Sequence, residues 1–316
     1  MGIEEPEKDL IERAAQRLKE QTLQKPVEDA RAEPPHQDAV MTKPDASASV
    51  SALEPPKVPD TPKVEVDDRD RRSRYADIDL NYLRRGGFIV PDDAPTRVAE
   101  EFRIIKRQVL RRAQKSSPDR IENGNLILVS STQPGEGKTF CALNLALSVA
   151  SERDHTVLLV DADVARPQLL SAMGLEADKG LIDVIVDDRV DISDCLLRTN
   201  IENLTILPAG RPHPGSTELL ASERTSALIQ ELSQRYDDRI VIFDSSPVLA
   251  SSAPGVLAQR LGQIVFVVEA DRTRESQLVE ALTLVSECRH INLVLNKSRF
   301  MGGKVRFGSY YEYYQS

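Results

Sequence analysis

Lys138 and Thr139 end a short glycine-containing loop in the run LILVSSTQPGEGKT, residues 126 to 139. The loop follows an apolar stretch typical of a buried strand, and apolar residues at helical spacing follow it from Leu143 onwards. Glycines allow backbone N–H groups to turn towards a phosphate, and the N-terminus of a helix adds a partial positive charge. The order of strand, loop and helix therefore predicts a phosphate-binding P-loop.

In such a loop, Lys138 reaches the β- and γ-phosphates of a nucleotide, and the Thr139 hydroxyl binds Mg²⁺. The strict motif has a glycine five positions before Gly137, where this chain has Thr132. The alternative interpretation is a surface turn that happens to contain the letters GEGKT.

Aspartates follow two further apolar runs. Asp161 and Asp163 end the run HTVLLVDAD, and Asp244 ends the run IVIFD. Because the carboxyl ends of parallel strands meet at one edge of a sheet, we expect these carboxylates beside the loop. Carboxylates suit the binding of hydrated Mg²⁺ and the acceptance of a proton from an attacking hydroxyl. For Asp161 and Asp163, the alternative is capping of a helix before Pro167.

The rest of the chain must supply the elements that position these residues. Strands are predicted at 204–208, 263–268 and 291–296, and helices at about 95–114, 217–235, 253–260 and 274–289. Alternating strands and helices predict an α/β P-loop NTPase fold, with a doubly wound, mostly parallel sheet flanked by helices.

The N-terminal quarter has a different composition. Residues 8–24 carry apolar residues at helical spacing, which fits either a solvated helix or a helix that docks on a partner. The following stretch is rich in Pro, Ala, Asp, Glu and Ser, and it buries too little apolar surface to offset the entropy of ordering. The predicted division is an N-terminal helix (1–24), a disordered linker (25–77), a folded domain (78–297) and a flexible tail (298–316).

Composition excludes several classes of protein. The 316 residues carry a net charge of −9, whereas binding to nucleic acid favours a basic surface. The three scattered cysteines are expected to be buried thiols in a reducing compartment. The acidic N-terminus is unlike a signal peptide, and no stretch reaches the roughly 18 apolar residues of a membrane span. We therefore expect a cytoplasmic protein that reaches a membrane only through a partner.

Four of the seven tyrosines, Tyr310, Tyr311, Tyr313 and Tyr314, lie at the C-terminus, after a basic and glycine-rich stretch. Core-forming residues do not surround them, so packing explains this tyrosine cluster poorly. A terminal strand that associates with other chains is one interpretation. We favour phosphorylatable hydroxyls on a flexible tail that can enter an active site.

Together, these motifs resemble those of the bacterial tyrosine kinases, a P-loop family unrelated to eukaryotic protein kinases. The resemblance covers about residues 78–316, and the Walker A, second Walker and Walker B motifs are matched by 132–139, 157–163 and 240–247. It implies an ATP-dependent protein-tyrosine autokinase that phosphorylates the tyrosine cluster in trans.

The resemblance also implies a role for each matching residue. The catalytic set would be Lys138, Asp161, Asp163 and Asp244, with Asp163 as the base that accepts the tyrosine proton and Asp161 as the second choice. Mg²⁺ would be held by Thr139 together with Asp161 or Asp244. The ATP-binding set would be Pro134, Gly135, Glu136, Gly137, Lys138, Thr139, Phe140, Arg166 and Asn296.

The family's oligomerisation motif, Glu-x-x-Arg-x-x-Arg, is matched by Glu100, Arg103 and Lys106. Lysine at the last position keeps the charge but not the bidentate pairing of arginine. The resemblance implies a ring-type homo-oligomer that presents each tail to a neighbour's site. Its other implied partners are the cytoplasmic segment of a membrane chain-length-determinant (polysaccharide co-polymerase) protein, which would hold it at the inner membrane, and a cognate tyrosine phosphatase.

The run LIERAAQRLKEQ, the linker and EEFRIIKRQVL are most similar to one branch, the XrtA-associated (exosortase-linked) tyrosine autokinases of exopolysaccharide loci. The leading interpretation is thus regulation of exopolysaccharide biosynthesis or export. A partitioning- or cell-division-type switch ATPase is an alternative, although its P-loop usually has an additional early lysine that this chain lacks. A nucleotide-binding adaptor of a polysaccharide export assembly is another.

Overall fold

The computed structural model describes residues 74–298, except residues 92, 95, 115 and 235–238. The predicted N-terminal helix, the linker up to residue 73 and the tyrosine cluster lie outside the described residues. The strands are β1 Arg74–Ala76, β2 Leu126–Ser131, β3 Thr156–Ala162, β4 Leu197–Thr199, β5 Leu204–Leu207, β6 Arg239–Ser245, β7 Gln263–Glu269 and β8 Ile291–Asn296.

The α-helices of this part of the chain are α1 Leu80–Arg85, α2 Arg97–Ala113, α3 Lys138–Ala150, α4 Leu169–Ala172, α5 Leu181–Val186, α6 Ser216–Leu220, α7 Glu223–Gln234, α8 Ala253–Ala258 and α9 Glu275–Leu284. A 3₁₀ turn covers Ile192–Asp194. Among these helices, none combines the length and the apolar character that crossing a bilayer requires.

The strands form one sheet in the order β1-β4-β5-β3-β6-β2-β7-β8. The pairs are parallel, except that β4 and β5 run antiparallel. Strand β6 lies between β2 and β3, so consecutive strands are not all neighbours and the connecting helices cover both faces. The predicted α/β fold with a doubly wound, mostly parallel sheet is confirmed.

The central strands are buried because helices cover both faces of the sheet, as is usual for parallel sheets. Every residue of β2 is buried, and β3 and β6 are buried after their first residue. Helix α3 follows the loop after β2 and is buried along most of its length. The core therefore holds fixed the strand ends and the helix N-terminus where the candidate site lies.

The structure differs from the predicted elements in several places: helices α1, α4 and α5 were not predicted, and α9 ends at Leu284 instead of residue 289. The helix predicted at 217–235 is two helices, α6 and α7, because the chain turns at Ser222, whose Oγ accepts a hydrogen bond from Thr225 N. Strands β1 and β4 were not predicted. Each of these two strands has three residues, and β1 pairs with β4 across more than a hundred residues of sequence, a contact that local patterns do not reveal. Because β1 lies within the predicted linker 25–77, the folded domain begins before the predicted residue 78.

The three cysteines, Cys141, Cys195 and Cys288, are free and buried, as predicted. Burial raises the pKa of the Cys141 thiol to about 12, with a further contribution from the charge of Asp244. Burial likewise raises the pKa of Cys195 to about 11 and that of Cys288 above its usual value. These thiols are therefore protonated at neutral pH.

Candidate active site

The predicted order of strand, loop and helix is present: β2 ends at Ser131 and α3 begins at Lys138. The loop between them contains two left-handed glycines, Gly135 with φ 89° and Gly137 with φ 98°. A Cβ atom at Gly137 would lie 2.2 Å from Asn296 Nδ2, closer than atoms can approach. Glycine is therefore required at Gly137 both by the backbone conformation and by the neighbouring side chain.

The hydrogen-bond acceptors of this loop are bound by the protein. The buried Glu136 carboxylate accepts from Gln133 N at 2.9 Å and from the Thr273 hydroxyl. The Glu136 carbonyl accepts from Asn296 Nδ2 at 2.9 Å, and the Gly135 carbonyl accepts from Lys297 Nζ at 2.6 Å.

The backbone N–H donors of the loop, in contrast, are not bound by the protein. Within the described residues, the N–H groups of Gly135, Glu136 and Gly137 donate to no acceptor. Free N–H groups at a helix N-terminus form a cradle for an anion. The loop therefore fits the phosphate groups of a nucleotide.

Lys138 lies among three carboxylates. Its Nζ is 2.9 Å from Asp163 Oδ2 and 3.9 Å from Asp244 Oδ1. Asp161 and Asp244 are register partners on the adjacent strands β3 and β6. Asp161 accepts hydrogen bonds from the backbone N–H groups of Asp163 and Leu169, both at 3.2 Å. The structure thus brings all four predicted catalytic residues together.

The pKa values reflect this crowding. Burial and the neighbouring charge of Asp244 raise the pKa of Asp161 to about 8. Burial raises the pKa of Asp244 to about 6, although the charge of Lys138 lowers it. Burial also lowers the pKa of the Lys138 ammonium, but Asp244 and Asp163 outweigh this effect and leave it above its usual value. Lysine remains charged while the carboxylates compete for protons.

A divalent cation fits this arrangement. Both carboxylate oxygens of Asp244 are buried and have no hydrogen-bond partner among the described residues, and one ammonium faces three carboxylates. Within the same part of the chain, no group of three or more His, Cys, Asp or Glu side chains is arranged as a complete metal-binding site. Mg²⁺ keeps several waters and takes phosphate oxygens, so Thr139 with Asp244 or Asp161 would suffice to hold it.

Mg²⁺ with ADP should raise the melting temperature more at pH 8 than at pH 6. The folded-state pKa values of Asp161 and Asp244 lie above their unfolded values, so their contribution to stability is lost as pH rises from about 4 towards 8. Mg²⁺ and protons compete for these carboxylates, so Mg²⁺ binds most tightly, and stabilises the fold most, at a pH where the carboxylates are ionised. Differential scanning fluorimetry of wild type and Asp161→Asn measures the effect. An equal shift at both pH values in wild type would contradict it.

Four other predicted nucleotide-binding residues differ in what their side chains contact within the protein. Phe140 packs its ring on Phe88, with ring centroids 5.2 Å apart. Arg166 is exposed, and its N–H donates to Asp163 Oδ1 at 3.3 Å. The polar groups of the Glu136 and Asn296 side chains hold the loop itself.

Sequence reasoning missed the residues that fasten the loop from the ends of β7 and β8. Thr273 bonds Glu136 across 137 positions, and Lys297 bonds Gly135 across 162 positions. Neither belongs to a recognisable local motif. Only the adjacency of β2, β7 and β8 in the sheet brings them to the loop.

The three residues of the oligomerisation motif occupy different environments on α2. Glu100 and Arg103 pair with each other at 2.6 Å near the surface. Lys106 is only 7% exposed, and its Nζ pairs with Glu152 Oε1 at 2.8 Å and donates to the Ser148 carbonyl at 3.0 Å. Lys106 therefore ties α2 to the C-terminal end of α3 within the subunit.

The left-handed glycine loop, its free N–H groups and the lysine among carboxylates define a P-loop nucleotide-binding domain. A family model described as AAA domain matches residues 124–291, and the chain belongs to that family. Membership implies that the chain binds a nucleotide.

Individual relatives narrow the class. Over 227 residues, the chain is 26% identical to the putative tyrosine-protein kinase CapB of Staphylococcus aureus, with 71% of this chain and 93% of CapB covered. It is 29% identical to tyrosine-protein kinase YwqD of Bacillus subtilis, with 68% and 86% covered. The solved kinase domain of VpsO is 26% identical with a TM-score of 0.55, covering 70% of this chain and 97% of that domain. These similarities support the bacterial tyrosine kinase family.

Proposed function

We propose that the chain is an ATP-dependent protein-tyrosine autokinase that phosphorylates its tyrosine cluster in trans. The observation that carries this proposal is the placement of Lys138 among Asp161, Asp163 and Asp244, beside a loop with free N–H donors. Relatives that are named tyrosine-protein kinases support it.

Lys138 has two roles in this mechanism. Without nucleotide it pairs with Asp163, and with nucleotide its ammonium turns to the β- and γ-phosphates. Loss of the ion pair frees the Asp163 carboxylate. Binding of the first substrate thus prepares the base for the second, and the buried position of Asp163 shields that base from water.

Phosphoryl transfer then requires positioning and charge neutralisation. A tyrosine hydroxyl gives its proton to Asp163 as its oxygen bonds to the γ-phosphorus, and the bond to the β-phosphate oxygen of ADP breaks. The loop N–H groups and Lys138 stabilise the negative charge on the phosphoryl oxygens. Mg²⁺, held by Thr139 with Asp244 or Asp161, would neutralise charge on the β- and γ-phosphates.

We further propose the biological setting that the family resemblance implies. The kinase domain extends from β1 at Arg74 to residue 297, with the tail at 298–316, and the protein assembles as a ring at the inner membrane. A chain-length-determinant protein would activate it, a tyrosine phosphatase would reverse it, and exopolysaccharide biosynthesis or export would be the regulated process. The XrtA-associated branch fits the sequence of the N-terminal run and of α2.

The deciding experiment incubates the full-length protein with ATP and Mg²⁺ and maps phosphotyrosine by mass spectrometry. Asp163→Asn should abolish labelling of the tyrosine cluster, whereas Asp154→Asn, a matched change on the exposed surface, should not. Transfer in trans is tested by mixing two variants. The first keeps Lys138 but has all four cluster tyrosines changed to Phe, and the second is Lys138→Met with its tyrosine cluster intact. We expect phosphotyrosine on the tail of the Lys138→Met variant. ATP hydrolysis without phosphotyrosine, also with the activator segment present, would favour the switch ATPase.

Assembly should depend on Arg103 more than on Lys106. Arg103→Glu places like charges beside Glu100 on the surface and should shift the oligomer towards smaller species. Lys106→Met leaves Glu152 without its buried partner and should lower the free energy of unfolding by about 1–3 kcal/mol, with assembly retained. Light scattering coupled to size exclusion and urea unfolding measure the two effects. Loss of assembly in Lys106→Met alone would reverse this assignment.

A further inference from the structure

The peptide unit between Gly135 and Glu136 lies at the bend of the phosphate-binding loop. Its carbonyl oxygen accepts a hydrogen bond from Lys297 Nζ at 2.6 Å. A trans peptide is planar, so its C=O and N–H point in opposite directions. The hydrogen bond from Lys297 to the carbonyl therefore directs the Glu136 N–H to the other side of the loop, where no described residue accepts a hydrogen bond from it.

Lys297 is itself held in place. Its Nζ lies 3.2 Å from Glu269 Oε2, and the same oxygen is 3.0 Å from Arg272 Nη1. Lys297 also has a left-handed backbone, with φ 58°, at the end of β8. A non-glycine residue keeps that conformation only where its surroundings determine it. The ammonium is thus directed at the loop by both its ion pair and its backbone.

The loop needs this restraint at Gly135. Gly135 has a φ of 89°, and glycine allows a wider range of backbone dihedral angles than other residues. The peptide unit that follows Gly135 can therefore rotate. A rotated peptide would turn a carbonyl oxygen, instead of an N–H, towards a phosphate and would repel it. The next peptide is fixed in the same manner, because Asn296 Nδ2 binds the Glu136 carbonyl. Two successive peptides are therefore oriented from the end of β8.

We propose that Lys297 is a positioning residue of the nucleotide site, which keeps the Glu136 N–H directed at a nucleotide phosphate by holding the Gly135 carbonyl. The inference rests on the proposed function only in that a nucleotide binds this loop. Lys297 directly precedes the tail segment 298–316, which carries the tyrosine cluster. The hydrogen bond from Lys297 to the Gly135 carbonyl therefore connects the phosphate-binding loop with the residue from which the tail begins.

The test is isothermal titration calorimetry of the full-length protein with Mg²⁺-ADP. Lys297→Met should weaken binding by about tenfold, the size expected for loss of one charge-assisted hydrogen bond near the surface. Lys297→Arg keeps a donor and should stay within about threefold of wild type. Arg272→Met removes a cation that pairs with the same Glu269 carboxylate and lies beside Gly135 but donates no hydrogen bond to the loop, and it should also stay within about threefold.

The outcomes separate positioning from other causes. A folding defect would lower the binding stoichiometry at unchanged affinity, whereas the proposal requires lower affinity at full stoichiometry. Equal affinity of wild type and Lys297→Met would overturn it, and so would an equal loss in Arg272→Met, which would indicate general charge attraction. Absence of nucleotide binding in wild type would overturn it too. Nucleotide binding without tyrosine phosphorylation would remove the kinase proposal and leave this one standing.

Discussion

Lys138→Met should reduce tyrosine phosphorylation by about 100- to 1,000-fold, the loss that follows removal of one preorganised charge from an active site. Methionine is an unbranched side chain of similar volume, so the change removes the charge and little volume. Two consequences add up: the phosphates lose their ammonium, and the carboxylates of Asp161, Asp163 and Asp244 lose their counter-charge. Phosphotyrosine formation at saturating ATP, followed by mass spectrometry of the tail, measures the loss.

The same variant should have a pH signature that a defect in binding alone would not produce. Without Lys138, the buried carboxylates of Asp161 and Asp244 repel each other most when both are ionised, so their pKa values rise further. The stability of Lys138→Met relative to wild type should therefore be lowest at pH 8 and should recover towards pH 5. Lys138→Arg keeps the charge and should retain wild-type stability but lose activity through its different shape. A pH-independent stability difference would contradict this account.

Gly137→Ala should abolish nucleotide binding and lower the free energy of unfolding by about 1–3 kcal/mol, the cost of a left-handed non-glycine residue held in place. The added Cβ would also meet Asn296 Nδ2 at 2.2 Å. Relief of that contact moves Asn296 away from the Glu136 carbonyl and releases the peptide that it holds. Calorimetric titration with Mg²⁺-ADP and thermal unfolding measure the two effects.

Gly215→Ala is the matched control, because it introduces the strain of a left-handed backbone without a steric clash of the added Cβ atom. Gly215 also has a left-handed backbone, with φ 77°, but a Cβ there would lie 3.5 Å from its nearest neighbour, an ordinary contact. It should cost about 1 kcal/mol of stability and leave nucleotide binding unchanged. If Gly215→Ala also lost nucleotide binding, a general destabilisation would explain the result at Gly137, and the specific role of the loop would have to be abandoned.

The fold and the centre of the site could be predicted from the sequence because both leave local signals. Apolar runs that end in Asp161 or Asp244 indicate buried parallel strands with carboxylates at their ends, and the GEGKT loop indicates the helix that follows. The strand predicted at 291–296 has those bounds in the structure. Parallel topology then brings these strand ends together without further information.

The supporting contacts could not be predicted, because they depend on pairing between distant segments. Glu136 is predicted from the sequence as a member of the ATP-binding set, yet its carboxylate is buried and bound by Thr273. Lys106 is predicted as the last residue of the oligomerisation motif, yet it is buried near the end of α3, where it pairs with Glu152. In both cases a charged residue is buried because its partner is placed by the tertiary structure, which local pattern does not encode.

The buried cysteines have a practical consequence for following the tail. All three native thiols lie in the core and stay protonated at neutral pH, so they should react with maleimides far more slowly than an exposed cysteine. A cysteine introduced at Ser316 would then accept a fluorophore selectively in the otherwise native sequence. Anisotropy of that label, read during incubation with ATP and Mg²⁺, would test the proposal that a neighbouring subunit binds the tail.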